Sequence, residues 1–219
     1  MSQQIPDVLQ DHELARLLAV PNLTTPSGLR NRCLLELMAN AGLRSKEVLG
    51  IKTSDVRQDG EKTLLHLKVT KGSKVRRVPL SPDSAGLLAL WLAKRKELGI
   101  VGKIVFCTIS SGRRQSNFAE DPELEPGKPL NSRYLRELVS RCGKKAGIGR
   151  RVHPHICRHS FATRLLRHSN VRVVQAALGH ASLTSTQVYL HVLNDELTEA
   201  MTSLPSPETG ERRNGGGEG

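Results

Sequence analysis

Apolar residues recur at helical spacing from the first leucines onward. Asp11 to Val20 opens with acidic residues, carries leucines three and four apart and is followed by Pro21, which predicts a first helix. Ser27 is positioned to cap a second, in which Leu34, Leu35, Leu37 and Met38 build an apolar stripe before Gly42 stops it. Ser45 restarts a short helix with Lys46, Glu47 and Val48. At Thr63 the period changes to two. In "TLLHLKVT", Leu65, Leu67 and Val69 fall on one face and His66, Lys68 and Thr70 on the other. "KGSK" turns the chain and "VRRVPL" returns, so a β-hairpin with Lys71 at its tip is expected.

The helical period then resumes. Ser81 as N-cap and Pro82 at the first helical position start a helix whose buried face is expected to hold Leu87, Leu88, Leu90, Trp91 and Leu92. "KIVFCTI" reads as a short strand or buried run, and residues 110–128 as a loop rich in glycine, proline and charge. Asn131 caps a helix through Cys142. Residues 154–192 read as three short helices broken at Ser169-Asn170 and Gly179, and an amphipathic helix follows from Asn194 to Leu204. The last fifteen residues, 205–219, have the composition of a disordered tail. The expected fold is mainly α with a small antiparallel β-sheet, one domain over residues 1–204.

Charge narrows the function. Lys plus Arg is 33 against 21 Asp plus Glu, a net charge of +12, which favours a polyanionic partner. Nucleic acid fits better than an anionic membrane, because no long basic amphipathic helix is present. No window approaches the roughly 18 apolar residues of a membrane span. "MSQQIPDVLQ" has neither the charged nor the apolar region of a signal peptide, so a cytoplasmic, nucleoid-associated protein is expected. Cys33, Cys107, Cys142 and Cys157 are too scattered for a zinc ribbon or a disulfide framework. His153, His155 and His159 cluster without an HExxH pattern or a carboxylate partner, so neither metal nor cofactor is expected.

Aromatic residues are 3% of the chain and only two are tyrosines, Tyr134 and Tyr189. Tyr189 lies nine residues after His180, and upstream His155 and Arg158 share a helix face. A guanidinium grips phosphate oxygens, and a tyrosine oxygen is a competent nucleophile once its proton is taken and its target made electrophilic. Without a metal, attack on a phosphodiester needs several cations to converge on the phosphate. Arg44, at a turn between two helices, and Lys71, at the hairpin tip, are the well-placed upstream cations. A tip lysine can reach a scissile bond and donate a proton to the leaving oxygen. Singly, each residue has an ordinary role: Arg44 a cap or a partner of Glu47, Lys71 a solvated turn lysine, Tyr189 a packing residue and Tyr134 a packing or DNA-backbone residue.

Four segments together decide otherwise. "AGLRSKEVLGI", "VTKGSKVRRVPL", "PHICRHSFATRLL" and "LGHASLTSTQVYLHV" resemble, in order and spacing, the first-arginine, catalytic-lysine, H-x-x-R and second-histidine-plus-tyrosine boxes of the tyrosine recombinases, also called the phage integrase family. The resemblance covers nearly everything from Asp11 to Val192. It implies the family's catalytic-domain fold and a site-specific DNA recombinase that works without metal or ATP, through a 3′-phosphotyrosyl link and a Holliday junction. Arg44 and Arg158 would clamp the non-bridging phosphate oxygens, Lys71 would protonate the leaving 5′-oxygen, His155 would manage the tyrosine proton, His180 would hydrogen-bond the phosphate and Tyr189 would attack. Glu47 would support them from behind. Lys74, Arg76, Arg77 and His159 are expected to contact DNA.

The resemblance also implies double-stranded DNA at a specific site and a synaptic tetramer as partners, with no small-molecule substrate, as in the movement of mobile genetic elements. Cys157 and Thr70 replace the more usual Leu and Gly beside catalytic positions. The family's helical core-binding domain is expected to be absent. Two rival readings are a type IB topoisomerase-like nicking-closing enzyme and a DNA-binding regulator that keeps the fold without exchange activity.

Overall fold

A computed structural model describes residues 7–68, 75–109 and 126–179. The first half runs α1 (Asp11–Ala19), α2 (Pro26–Asn40), α3 (Ser45–Gly50), a 3-10 turn at Thr53–Asp55, then β1 (Val56–Asp59), β2 (Lys62–Lys68) and β3 (Val75–Pro79). The second half is helical: α4 (Pro82–Glu97), α5 (Ser132–Lys145), α6 (Pro154–Arg167) and α7 (Val171–Leu178). The mainly helical fold with one small antiparallel sheet is as the patterning implied. The hairpin tip, residues 180–192, the helix expected at 194–204 and the tail lie outside the described residues.

Helix starts follow capping chemistry. Ser81 Oγ accepts from Ser84 N at 3.3 Å ahead of Pro82, and Asn131 Oδ1 accepts from Tyr134 N at 2.8 Å. The helix after Asn131 continues past Cys142 to Lys145. The cap of α2 is Thr25 and not Ser27: Thr25 Oγ1 accepts from Gly28 N at 3.1 Å, and Pro26, which lacks an N–H, fills the first helical position. α2 is also more than a stripe. Cys33, Leu34, Leu35, Leu37, Met38 and Ala39 are all fully buried, because α1, α3, α4 and α6 pack around it. A helix buried on every side, here with even Arg30 and Glu36 enclosed, belongs in the centre of a domain.

In α4 only Leu88 and Trp91 of the expected face are fully buried, with Leu87 and Leu92 partly so. Leu90 is 61% exposed, since it sits about 200° around the helix from Leu88. The indole of Trp91 donates to Val105 O at 2.9 Å, tying α4 to the buried "VFC" run. The "KIVFCTI" segment around it makes isolated bridges, Lys52 to Ile104 and Cys107 to Pro129, and forms no strand among the described residues.

The sheet is a meander ordered β1-β2-β3. Register pairs Leu65 with Val78 and Leu67 with Arg76 on the core side, and His66 with Arg77 outside. β1 was not expected from the sequence. A second small cluster, Ala162, Leu166, Val174 and Leu178, seals α7 to α6. At the other pole Arg150 holds the first described residues, donating to Glu13 Oε1 at 2.7 Å and to Val8 O at 2.6 Å. This guanidinium lowers the Glu13 carboxyl from 4.5 to about 2. The four cysteines are free thiols, all buried, and burial pushes Cys157 up to about 12. Among the described residues no helix is long and apolar enough to cross a membrane.

Candidate active site

Three arginines and one glutamate meet where α2, α3, β3, α6 and α7 converge. Glu47 is at the third position of α3, and its Oε2 accepts from the backbone N–H of Arg44, the helix cap, at 2.7 Å. That local bond fixes the carboxylate, which the arginine side chains then share. Arg44 Nη1 lies 3.1 Å from Oε1, Arg76 Nη2 lies 2.8 Å from Oε2 and Arg158 Nη1 lies 3.9 Å from Oε2. Among the described residues, this one carboxylate is shared by three guanidinium groups. The Arg44 side chain is 39% exposed, whereas those of Arg76 and Arg158 are 10% and 8%. Arg77, the neighbour of Arg76, faces outward on the opposite side of the sheet, over a shallow hollow of about 280 Å³ shared with Arg57 and His66.

Backbone carbonyls orient the buried pair. Arg158 donates from Nη2 to Leu178 O at 2.8 Å and from Nη1 to Gly42 O. Arg76 Nη1 donates to Ala177 O. The last carbonyls of a helix have no partner within it and carry partial negative charge, so two arginines at the end of α7 satisfy both needs. The turns that allow this are glycines in the left-handed region, Gly42 at φ 62° and Gly179 at φ 63°. A Cβ on Gly42 would meet the Phe161 ring at 2.3 Å, and one on Gly179 would meet Arg76 Cδ at 2.8 Å.

His155 is exposed on the first turn of α6, and His159 follows one turn later, half-buried. Burial first, then the nearby His155 and Arg158, lowers the His159 pKa from its usual 6.5. His153 caps α6 by accepting from Ile156 N at 3.3 Å, so its Nδ1 has a structural use. Among the described residues no group of three or more His, Cys, Asp or Glu could hold a metal.

The structure thus brings together Arg44, Glu47 and Arg158, with His155 on the same helix as Arg158. Lys71, Lys74, His180 and Tyr189 lie outside the described residues. Of the expected DNA contacts, Arg77 is exposed, but Arg76 is turned inward, because it shares the core-side register of Leu67. Tyr134 packs against the core and its hydroxyl bonds within the fold, donating to Asn31 Oδ1 at 2.8 Å and accepting from Arg30.

The sequence profile described as the phage integrase family matches residues 7–196. The chain belongs to that family. Tyrosine recombinase XerC of Bacillus pumilus is 34% identical over 202 residues, covering 92% of this chain and 62% of the relative. Tyrosine recombinase XerD of Neisseria meningitidis serogroup B is 35% identical, covering 89% of this chain and 61% of the relative. Among solved structures, the XerH site-specific recombinase bound to palindromic difH substrate, a post-cleavage complex, superposes with a TM-score of 0.72 at 30% identity, covering 91% of this chain and 54% of that one. The chain therefore spans about three fifths of the length of the curated phage integrase relatives it matches.

Proposed function

We propose that this protein is a tyrosine-type site-specific recombinase that cuts and rejoins DNA strands. The observation that carries the reading is the convergence of Arg44 and Arg158, 114 residues apart in the chain, on one carboxylate at the end of the helix that precedes His180 and Tyr189. The named relatives and the DNA-bound structural neighbour support it.

In this mechanism Arg44 and Arg158 neutralise the non-bridging oxygens of one phosphodiester. Tyr189 Oη then attacks phosphorus and its proton passes towards His155. The bond to the 5′-oxygen breaks, and that oxygen leaves with a proton from Lys71. A 3′-phosphotyrosyl ester remains, with His180 hydrogen-bonded to its phosphate. The ester keeps the energy of the broken bond, so a second strand's 5′-hydroxyl can reverse the step without ATP. Prearranged charge stabilisers of this kind act mainly on the transition state. Paired exchanges within a synaptic tetramer on two duplexes, through a Holliday junction, complete the reaction on the nucleoid.

The test is covalent capture on a nicked substrate. Wild-type protein is expected to form a DNA adduct in the presence of EDTA, and Tyr189→Phe to bind DNA but form none. Adduct formation by Tyr189→Phe, or its loss from Tyr134→Phe instead, would overturn the assignment.

A further inference from the structure

Arg76 follows the lysine hairpin and has the composition of a phosphate contact, yet its geometry suits another task. Its side chain is 10% exposed and both terminal nitrogens are engaged, one by Glu47 and one by the Ala177 carbonyl. To reach DNA it would have to leave a nearly buried carboxylate without its nearest cation, a costly loss. Arg158 is as buried but differs in its partners. Its Nη1 and Nη2 donate to the Gly42 and Leu178 carbonyls, and Nη1 stands 3.9 Å from Glu47, so its orientation is fixed with a looser hold on the carboxylate. Arg76, at 2.8 Å, takes the carboxylate as a direct ion pair. Its aliphatic stem also lies where a Cβ on residue 179 would be, so the Gly179 turn and the Arg76 side chain fit each other.

We propose that Arg76 is a positioning residue: by joining β3 to Glu47 and to the C-terminal carbonyl of α7, it holds Arg44 and Arg158 at the spacing a phosphate requires. The assignment rests on the recombinase reading above and gives that site a member which never touches DNA. Glu47 cannot swing towards Arg158 and cancel its charge while Arg76 occupies Oε2. The end of α7, from which the chain continues to His180, cannot drift from α3 while Arg76 bridges them.

The test separates rate from affinity. Arg76→Gln, Arg76→Lys and Arg77→Gln are compared with wild type for single-turnover cleavage of a nicked duplex at saturating DNA, and for duplex affinity across a salt series. Arg76→Gln is expected to cut about 10–100-fold more slowly, because it misplaces charge stabilisers without deleting them. Its affinity and salt slope should match wild type. Arg76→Lys keeps one of the two bonds and should recover part of the rate. Arg77→Gln, the binding control, should weaken association and flatten the salt slope by about one contact. If Arg76→Gln weakens binding and flattens the slope as Arg77→Gln does, Arg76 is a phosphate contact and the proposal fails. An unchanged rate with unchanged binding overturns it equally. The binding series needs no chemistry, so it judges Arg76 even if wild-type protein forms no adduct, a result that would instead remove the recombinase reading. Should Arg76→Gln fail to fold, the same two measurements on Arg76→Lys decide.

Discussion

Arg44 and Arg158 share a carboxylate but not an environment. Arg44 reaches solvent, while Arg158 is held in a fixed orientation by two carbonyls; on the recombinase reading proposed above, Arg44 is the one that can meet an arriving phosphate. Arg44→Ala is therefore expected to cost more in cleavage than in binding, on the order of 10²–10³ in rate. Single-turnover kinetics set beside the dissociation constant check this, and equal losses would make Arg44 a simple binding residue. Arg44, Glu47 and Arg158 were legible chiefly because their segments resemble the family's boxes; helix spacing added that His155 and Arg158 share a face. Arg44 and Glu47 stand three positions apart, and so do His155 and Arg158. The inward turn of Arg76 also had a signal in the sequence. In a strand, alternate residues share a face, so Arg76 goes with Val78 towards the core and Arg77 goes outward. Reading the doublet as two equal cations ignored that parity. The carbonyl partners of Arg158 carry no sequence signal, since a main-chain oxygen belongs to every residue and only the fold says which one is near.

At the level of elements, the joint between α2 and α3 governs the site. Gly42 lets the chain leave α2 in a left-handed turn, offers its carbonyl to Arg158 and leaves room for Phe161. Gly42→Ala is expected to destabilise the protein by about 2–5 kcal/mol, combining backbone strain with overpacking, as read from urea unfolding. A loss under about 0.5 kcal/mol would mean that the ring and the turn adapt freely. The helices were legible because long periodic segments with caps leave few alternatives. Thr25 was missed as a cap because Ser27 looked equivalent, although Pro26 marks the first helical position and so points one residue back. β1 was missed because "VRQD" puts only Val56 even partly inside and shows no alternation; it is a strand because β2 offers it an edge.

Across the whole molecule, an ion pair between Glu13 and Arg150 joins residues 137 apart and fastens α1 to the loop before α6. Glu13 titrates at about 2 instead of 4.5 when folded, so the unfolded chain binds the proton more readily. The pair's contribution is complete above pH 4.5 and is lost as pH falls from there towards 2. Glu13→Gln should accordingly be less stable than wild type at pH 7 and should lose less on acidification across that window; parallel stability curves would show that the pair contributes nothing there. The centre of the molecule has a further consequence. Cys33, Cys107, Cys142 and Cys157 are distributed through the core, and burial disfavours the reactive thiolate of Cys33, Cys142 and Cys157. Alkylating reagents therefore meet no ready sulfur while the helices stay closed. Each labelling event has to wait for a fluctuation that opens its own neighbourhood, so the four sulfurs act as clocks for how often different parts of the interior breathe.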